Sequence, residues 1–197
     1  MPFSLKQAAH DVLRGRPPLT DAGKDERGRP STTLLAHDMS VRGNLGFVLL
    51  VHRRRDGAAA EELYWSVREA DGVWAEPEHL SGGLTGADPD DMDGLADVLR
   101  GEPLMLVSDA ETLLCTGRRA YDDGYESVRF AQILTAARVR SVEVERLGPG
   151  TRHTTRRPAP YLLTLLVALP GESLRVRATG SAGPVIRFDG IGPGTSV

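Results

Sequence analysis

The chain has little cysteine chemistry and no segment long enough to cross a membrane as a helix. Cys115 is its only cysteine in 197 residues, so neither an intramolecular disulfide nor a cysteine-based zinc site can form. The longest apolar run, residues 161–169, covers about half of the ~20 residues that a spanning helix needs. The first six residues lack the charged start and apolar core of a signal peptide. We therefore expect a soluble cytoplasmic protein that does not bind membranes.

Lysine is nearly missing as well. Lys6 and Lys24 are the only two, and we interpret the excess of arginine as the coding bias of a GC-rich genome. The net charge of −3 argues against a general nucleic-acid-binding protein, because such proteins need a basic surface that displaces counterions. With 40% hydrophobic and 26% charged residues, the composition is that of a globular chain with a well-buried core.

The signature motifs of common enzyme classes are also absent. The sequence contains no Gly-x-Ser-x-Gly elbow, no His-Glu-x-x-His helix and no Walker loop. Its five histidines are scattered at His10, His37, His52, His79 and His153. We therefore predict neither a metal nor a cofactor, and the sequence leaves open whether the chain is an enzyme.

The strongest pattern that is present lies between Thr32 and Arg53. Two β-rich runs flank Gly43-Asn44, which is typical of a hairpin because both turn residues tolerate a positive φ. The second run is apolar on both faces and should lie deep in a sheet. In a two-residue hairpin, one face would carry Leu35, His37, Met39, Val41, Val48, Leu50 and His52.

That register makes His37 and His52 diagonal neighbours, roughly 7–8 Å apart at Cα. They are the only titratable pair that the sequence brings together, and they could share a proton, a metal or a ligand. Two histidines that are hydrogen-bonded separately at the rim of an apolar face are the simpler interpretation.

An amphipathic helix is predicted from Ser4 to Leu13, with Ser4 as its cap. Residues 15–31 are rich in proline, glycine and charge and have the composition of a mobile linker. The helix could pack on its own domain, exchange with a second copy or bind a partner. Because the linker cannot supply buried contacts, we expect the helix to be removable without unfolding the core.

The middle of the chain predicts a strand at Glu61–Val67, a glycine-rich loop at Ser81–Gly86 and a second helix. Asp88 would cap that helix, and Arg100-Gly101 would end it. Its expected buried stripe is Met92, Leu95, Ala96 and Leu99. The acidic residues at its start do not fit the ligand spacing of a calcium loop.

The second half of the sequence predicts further hairpins. Leu104–Ser108 and Thr112–Thr116 should pair across a turn, with Cys115 as a buried, inert thiol. The period over Glu126–Arg138 is ambiguous, and we favour a helix over a strand. Strands are predicted at Val139–Leu147, Tyr161–Leu169, Leu174–Thr179 and Val185–Phe188, with a loose basic segment at Gly148–Pro160.

Together these patterns predict an α+β protein leaning towards mainly β. Antiparallel hairpins would form two packed sheets or a partly open barrel, with one to three short helices. Residues 1–30 would form the N-terminal helix and linker, and residues 31–197 a single β-rich domain with a possible sub-boundary near 81–88. We expect a monomer or a homodimer.

Three functions remain open. The first is a non-catalytic binding protein that uses sheet edges and arginine-bearing loops to recognise a protein partner or a small anionic ligand. The second is a small enzyme with a pocket inside a barrel or between sheets, and the third is a regulatory partner of a larger enzyme. The candidate ligand-binding residues are His37, His52, Arg53, Arg54, Arg55, Arg152, His153, Arg156 and Arg157.

Overall fold

Eleven strands and two helices account for the regular structure in the part of the chain described by the computed structural model. That part comprises residues 4–18, 33–117, 124–148, 151–158, 163–180 and 183–191. Every strand pair within it is antiparallel, and the sheets do not close into a barrel. The prediction of an α+β protein leaning towards mainly β is confirmed.

The chain divides into two compact units, residues 1–94 and 95–197. The first unit contains α1 (Leu5–Leu13), β1 (Thr33–Arg42), β2 (Leu45–Arg53), β3 (Ala59–Val67) and β4 (Glu78–Leu84). Its strands lie in the order β1-β2-β3-β4, so β1 and β4 form the edges of this sheet among the described residues. The helix α2 (Met92–Leu99) includes the division between the units. The predicted boundary at residues 30 and 31 stays a prediction.

The hairpin of β1 and β2 has the predicted register over most of its length. Gly43 begins the turn with a φ of 63°, and Ala36–Arg42 lie opposite Leu45–Val51. The register shifts between Leu34 and Ala36, so that Leu34 and not Leu35 lies opposite His52. The prediction that Leu35 shares a face with His52 is therefore wrong. The shift lets Leu34 pack in the apolar cluster beneath α1.

The helix α1 packs on the sheet of its own unit. Ser4 caps it as predicted, because its Oγ accepts a hydrogen bond from the Gln7 N–H at 3.4 Å. Its apolar face and one face of the sheet form a cluster of buried residues: Ala8, Ala9, Val12, Leu13, Leu34, Val48, Leu50, Tyr64 and Trp74. Gly46 permits this close approach, because a Cβ there would lie 2.8 Å from the Trp74 ring and even nearer to Leu13.

Two predictions around α2 are wrong. Ser81–Leu84 do not form a loop but belong to β4. Their backbone pairs with β3, and the two glycines do not prevent this pairing. The cap of α2 is Asp91 and not Asp88, because the Gly94 N–H donates to Asp91 Oδ1 at 2.9 Å. Of the predicted stripe, Leu95 and Leu99 are buried, whereas Met92 and Ala96 are exposed.

The second unit is built from two sheets. Its strands are β5 (Leu104–Cys115), β6 (Tyr125–Thr135), β7 (Val139–Gly148), β8 (Thr151–Pro158), β9 (Leu163–Ala168), β10 (Ser173–Gly180) and β11 (Gly183–Ile191). One sheet has the order β5-β6-β9 and the other β11-β10-β7-β8. Apolar side chains from both sheets share one buried cluster, so the sheets pack face to face. This agrees with the predicted pair of packed sheets.

Tertiary packing explains the errors in this unit. The hairpin predicted at residues 104–116 is a single strand, β5, that ends at Cys115, and the predicted helix at residues 126–138 is mainly β6. Because β6 is buried on both faces, its apolar residues lack the alternation that identifies a strand. The basic segment predicted to be loose contains β8, and Cys115 is exposed instead of buried. The strands predicted at Val139, Leu174 and Val185 are present as β7, β10 and β11.

Candidate binding site

Two of the three arginines at the end of β2, Arg53 and Arg54, form ion pairs within their own unit. Arg53 donates from both terminal nitrogens to the Asp88 carboxylate at 2.9 Å and from one of them to Asp90 at 2.6 Å. These hydrogen bonds raise the pKa of Arg53 and lower the pKa of the Asp88 carboxyl. Arg54 pairs with Asp56 at 3.2 Å, and Arg55 is exposed. Arg53 therefore fastens the segment after β4 to the end of β2.

The second predicted basic group lies on β8. The backbone of Arg152 and His153 lies opposite Leu147 and Arg146 on β7, and Arg156 and Arg157 lie opposite Glu143 and Val142. The side chains of these four residues lie outside the described part of the chain. Their proposed role in ligand binding stays a prediction.

His37 and His52 have very different surroundings. His37 lies opposite Leu50, is exposed, and lines a cleft of about 630 Å³ between the end of α1 and β1. His52 is 5% exposed and lies opposite Leu34 and Ala60. Its neighbour among the described ionisable groups is Glu62, whose Oε1 lies 3.6 Å from His52 Nε2.

Glu62 instead connects His52 to a third histidine, His79. Glu62 Oε2 lies 2.5 Å from His79 Nε2, so one carboxylate oxygen is held by that imidazole. The His79 ring also meets the edge of the Tyr64 ring, with 5.3 Å between the ring centres. Burial, and to a lesser extent the nearby Glu62 charge, raises the pKa of Tyr64. We call these four residues, His52, Glu62, Tyr64 and His79, the Glu62 cluster.

The sheet register explains how the Glu62 cluster assembles. Tyr64 lies opposite His79, and Glu62 lies two residues earlier on the same face, opposite Gly82. A Cβ at Gly82 would collide with the Glu62 carboxylate, so that carboxylate lies over the backbone of β4. The missing side chain at Gly82 thus allows Glu62 to extend towards the free edge of the sheet.

Exposure increases across the Glu62 cluster from the interior to the edge. The side chains of His52, Glu62 and His79 are 6%, 23% and 51% exposed. Within the described part of the chain, neither ring nitrogen of His52 has a hydrogen-bond partner. Glu62 Oε1 is 3.6 Å from His52, beyond normal hydrogen-bonding distance, and can therefore accept a further donor.

The strand β4 itself is the most exposed strand of the first unit. Six of its seven residues are exposed, and the side chain of Leu84 is 67% exposed. Its pairing with β3 is irregular near Tyr64 but regular from Ser81 to Leu84. Those four residues carry no charge and no proline, the two features that commonly protect an edge strand from further pairing.

The chemistry of the Glu62 cluster suits a cationic or hydrogen-bond-donating group. In the described residues, no group of three or more His, Cys, Asp and Glu side chains is arranged to hold a metal ion. The carboxylate oxygen nearest to the exposed strand β4 is Oε2, which His79 also contacts, whereas Oε1 is turned towards His52.

Sequence reasoning found His52 but missed Glu62, His79 and Gly82. Glu62 and His79 are 17 residues apart, and only the pairing of β3 with β4 brings them together. The available signal was the combination of an acidic residue in a predicted strand with a nearby run of two glycines. We interpreted that run as a loop.

Comparison with known proteins adds no homologue. No family model, curated protein or solved structure matches the chain. Neither helix in the described part of the chain is long and apolar enough to span a membrane.

Proposed function

We propose that the chain is a non-catalytic binding protein that adds an extended, basic segment of another protein to the edge of β4. The observation that carries this proposal is the uncharged, exposed stretch Ser81–Leu84 at the end of a regular sheet. Unpaired backbone groups on such an edge form hydrogen bonds with an incoming strand. The main chain would supply affinity, and side-chain sites beside the edge would supply specificity.

Three other edge strands, β1, β5 and β9, fit this role less well. The strand β1 has a register shift beside Leu35 and carries Asp38 and Arg42. The strand β5 has a register shift beside Val107 and carries two acidic residues in its central part. Register shifts and charged side chains are common protections against further pairing. In β4 both features are confined to its first three residues, Glu78–Leu80, and Ser81–Leu84 have neither. All residues of β9 are buried, which leaves no exposed side-chain surface beside its edge.

Charge favours a basic partner over a second copy of this chain. The strands β3 and β4 carry Glu61, Glu62 and Glu78 but no lysine or arginine. Residues 1–94 contain 11 lysines and arginines against 16 aspartates and glutamates. Pairing of two β4 strands would bring like charges together, whereas a basic strand would be attracted.

The packing of α1 weighs against the regulatory-partner hypothesis in the form that uses this helix as the docking element. Ala9 and Val12 are 0% and 5% exposed in the contact with the sheet, so binding through them would first require undocking. A cytoplasmic location remains part of the proposal, because an exposed free thiol such as Cys115 suits a reducing compartment.

Hydrogen exchange and peptide titration test the proposal. The probes are two acetylated, amidated octapeptides, one of alternating threonine and lysine and one of alternating threonine and glutamate. We expect the lysine peptide alone to bind and to slow amide exchange at β4. The variant Gly83→Lys should lose this binding, because it places a cation on the edge in a position where an added Cβ meets no atom within 4 Å.

The matched control is Gly83→Ala, which should bind as the wild type does. Equal binding of the lysine peptide to Gly83→Lys, or slowed exchange elsewhere but not at β4, would contradict the proposal. Analytical ultracentrifugation tests whether a second copy of the chain binds to β4 instead. A dimer that Gly83→Lys dissociates would show that β4 pairs with a second copy instead of a basic partner.

A further inference from the structure

Glu62 differs from the other carboxylates of β3 and β4 in being held over the edge strand. Its opposite residue, Gly82, has no side chain, and the Glu62 carboxylate occupies the space that a Cβ would fill. A strand added to β4 would lie two strand spacings, or roughly 10 Å, from the backbone of β3. The added residue opposite Gly82 would point to the same face as Glu62.

We propose that Glu62 selects a lysine at that position of the added strand, an inference that rests on the proposed docking at β4. A long cationic side chain can cross the empty space over Gly82 and reach the carboxylate. Side chains of ordinary size at position 82 would block this path. Glu62 would therefore determine specificity, whereas the backbone of β4 would provide the docking surface.

The contacts of Glu62 favour lysine over arginine. Oε2, the carboxylate oxygen nearest to the empty space at Gly82, is also contacted by His79, whereas Oε1 is turned towards His52 and lies 3.6 Å from its ring. Arginine recognises carboxylates best through two parallel hydrogen bonds, which require both oxygens. The lysine ammonium is a compact charge that needs one acceptor oxygen to form a strong hydrogen bond. The carboxylate therefore presents only Oε2, shared with His79, to an incoming strand, and a single oxygen fits lysine.

The carboxylate of Glu62, which would recognise the lysine, is shielded from water on one side only. Glu62 is 23% exposed, so its charge is partly removed from water, and the His52 ring closes off the interior side. A hydrogen bond to a charged group in such a setting contributes more than one on an open surface. We expect lysine to bind about tenfold more tightly than norleucine, its uncharged counterpart of similar shape.

Three octapeptides test this inference. Each has a valine and threonine background, and the single variable residue is lysine, arginine or norleucine. The wild-type protein should prefer lysine about tenfold over norleucine and should bind arginine more weakly than lysine. Glu62→Gln should abolish the preference while β4 amides still become protected. Glu78→Gln, a change of an exposed carboxylate on β4 itself, should keep the preference.

Gly82→Ala provides a second variant that retains the Glu62 charge but crowds the carboxylate. It should also lose the preference for lysine. If the wild type binds arginine at least as tightly as lysine, the inference is wrong and the docking proposal stands. If it protects β4 equally with all three peptides, the inference is wrong and so is the proposed preference of β4 for a basic segment. If no peptide protects β4, both are wrong.

Discussion

The contact between α1 and β2 gives a quantitative test of how the first unit is assembled. A Cβ at Gly46 would lie 2.5 Å from Leu13 Cδ2 and 2.8 Å from the Trp74 ring. Gly46→Ala should therefore lower the free energy of unfolding by about 1–3 kcal/mol through overpacking. Leu13→Ala should lower it by about 2–5 kcal/mol, because Leu13 is 6% exposed and leaves a cavity.

The double variant distinguishes docking of α1 from any unrelated effect. Truncating Leu13 vacates part of the space that Ala at position 46 needs, so the two losses should sum to at least about 0.5 kcal/mol more than the double variant loses. Truncating Leu13 relieves the overpacking by alanine at position 46 only in part, because the Trp74 ring also lies against that position. Additivity within about 0.3 kcal/mol would show that Leu13 does not pack against Gly46 in solution.

Urea denaturation monitored by tryptophan fluorescence measures this cycle directly. Both tryptophans of the chain, Trp65 and Trp74, belong to the first unit and are buried. Their emission therefore reports on the unit that contains the contact. Gly83→Ala serves as the control glycine substitution, because an added Cβ there meets no atom within 4 Å and should cause no loss of stability.

Three further predictions follow from burial and charge. Leu49→Asp and Leu165→Asp should each abolish soluble expression, since these side chains are 1% and 0% exposed; a soluble, cooperatively folding variant would disprove this. Deleting residues 1–14 should destabilise the first unit in urea, contrary to the sequence expectation, because it uncovers the apolar face beneath α1; an unchanged midpoint would restore that expectation. Arg53→Gln should flatten the acid dependence of stability. Arg53 lowers the pKa of Asp88, so its contribution of roughly 1 kcal/mol is present above about pH 4 and is lost as pH falls through the lowered pKa. Urea denaturation at several pH values measures this. If the pair contributes nothing, the free energy of unfolding will change with pH in the same way in Arg53→Gln and in the wild type.

Local patterns predicted the parts of the fold in which sequence and environment agree. Gly43 supplies the positive φ of the first hairpin, and the buried positions of β10 alternate with charged ones as a half-exposed strand requires. In β6 the environment removes that alternation, because both faces are buried. The same loss of periodicity made its apolar spacing resemble that of a helix.

The Glu62 cluster could not be derived from the sequence, because it depends on two pairings between strands. Glu62 reaches His79 only after β4 has paired with β3, and it approaches His52 only through the pairing of β2 with β3. His37 was predicted to be the partner of His52 from the register of one hairpin alone. The register of one hairpin predicts neither the shift at Leu35 nor the position of β3, and both determine the surroundings of His52.

The two successive glycines of β4 should respond oppositely to alanine, and this contrast tests whether one of them serves the Glu62 cluster. Glycine in a strand costs about 0.5–1 kcal/mol relative to alanine, because the unfolded chain loses more freedom. Gly83 has open space around its missing Cβ, so Gly83→Ala should stabilise by about 0.5 kcal/mol. At Gly82 a Cβ would collide with the Glu62 carboxylate, and Gly82→Ala should destabilise. The double variant Gly82→Ala with Glu62→Ala removes the collision and should recover the loss attributable to it. Urea midpoints of the four proteins decide the matter. If Gly82→Ala stabilises as much as Gly83→Ala does, the carboxylate moves aside freely and is not held over the edge strand.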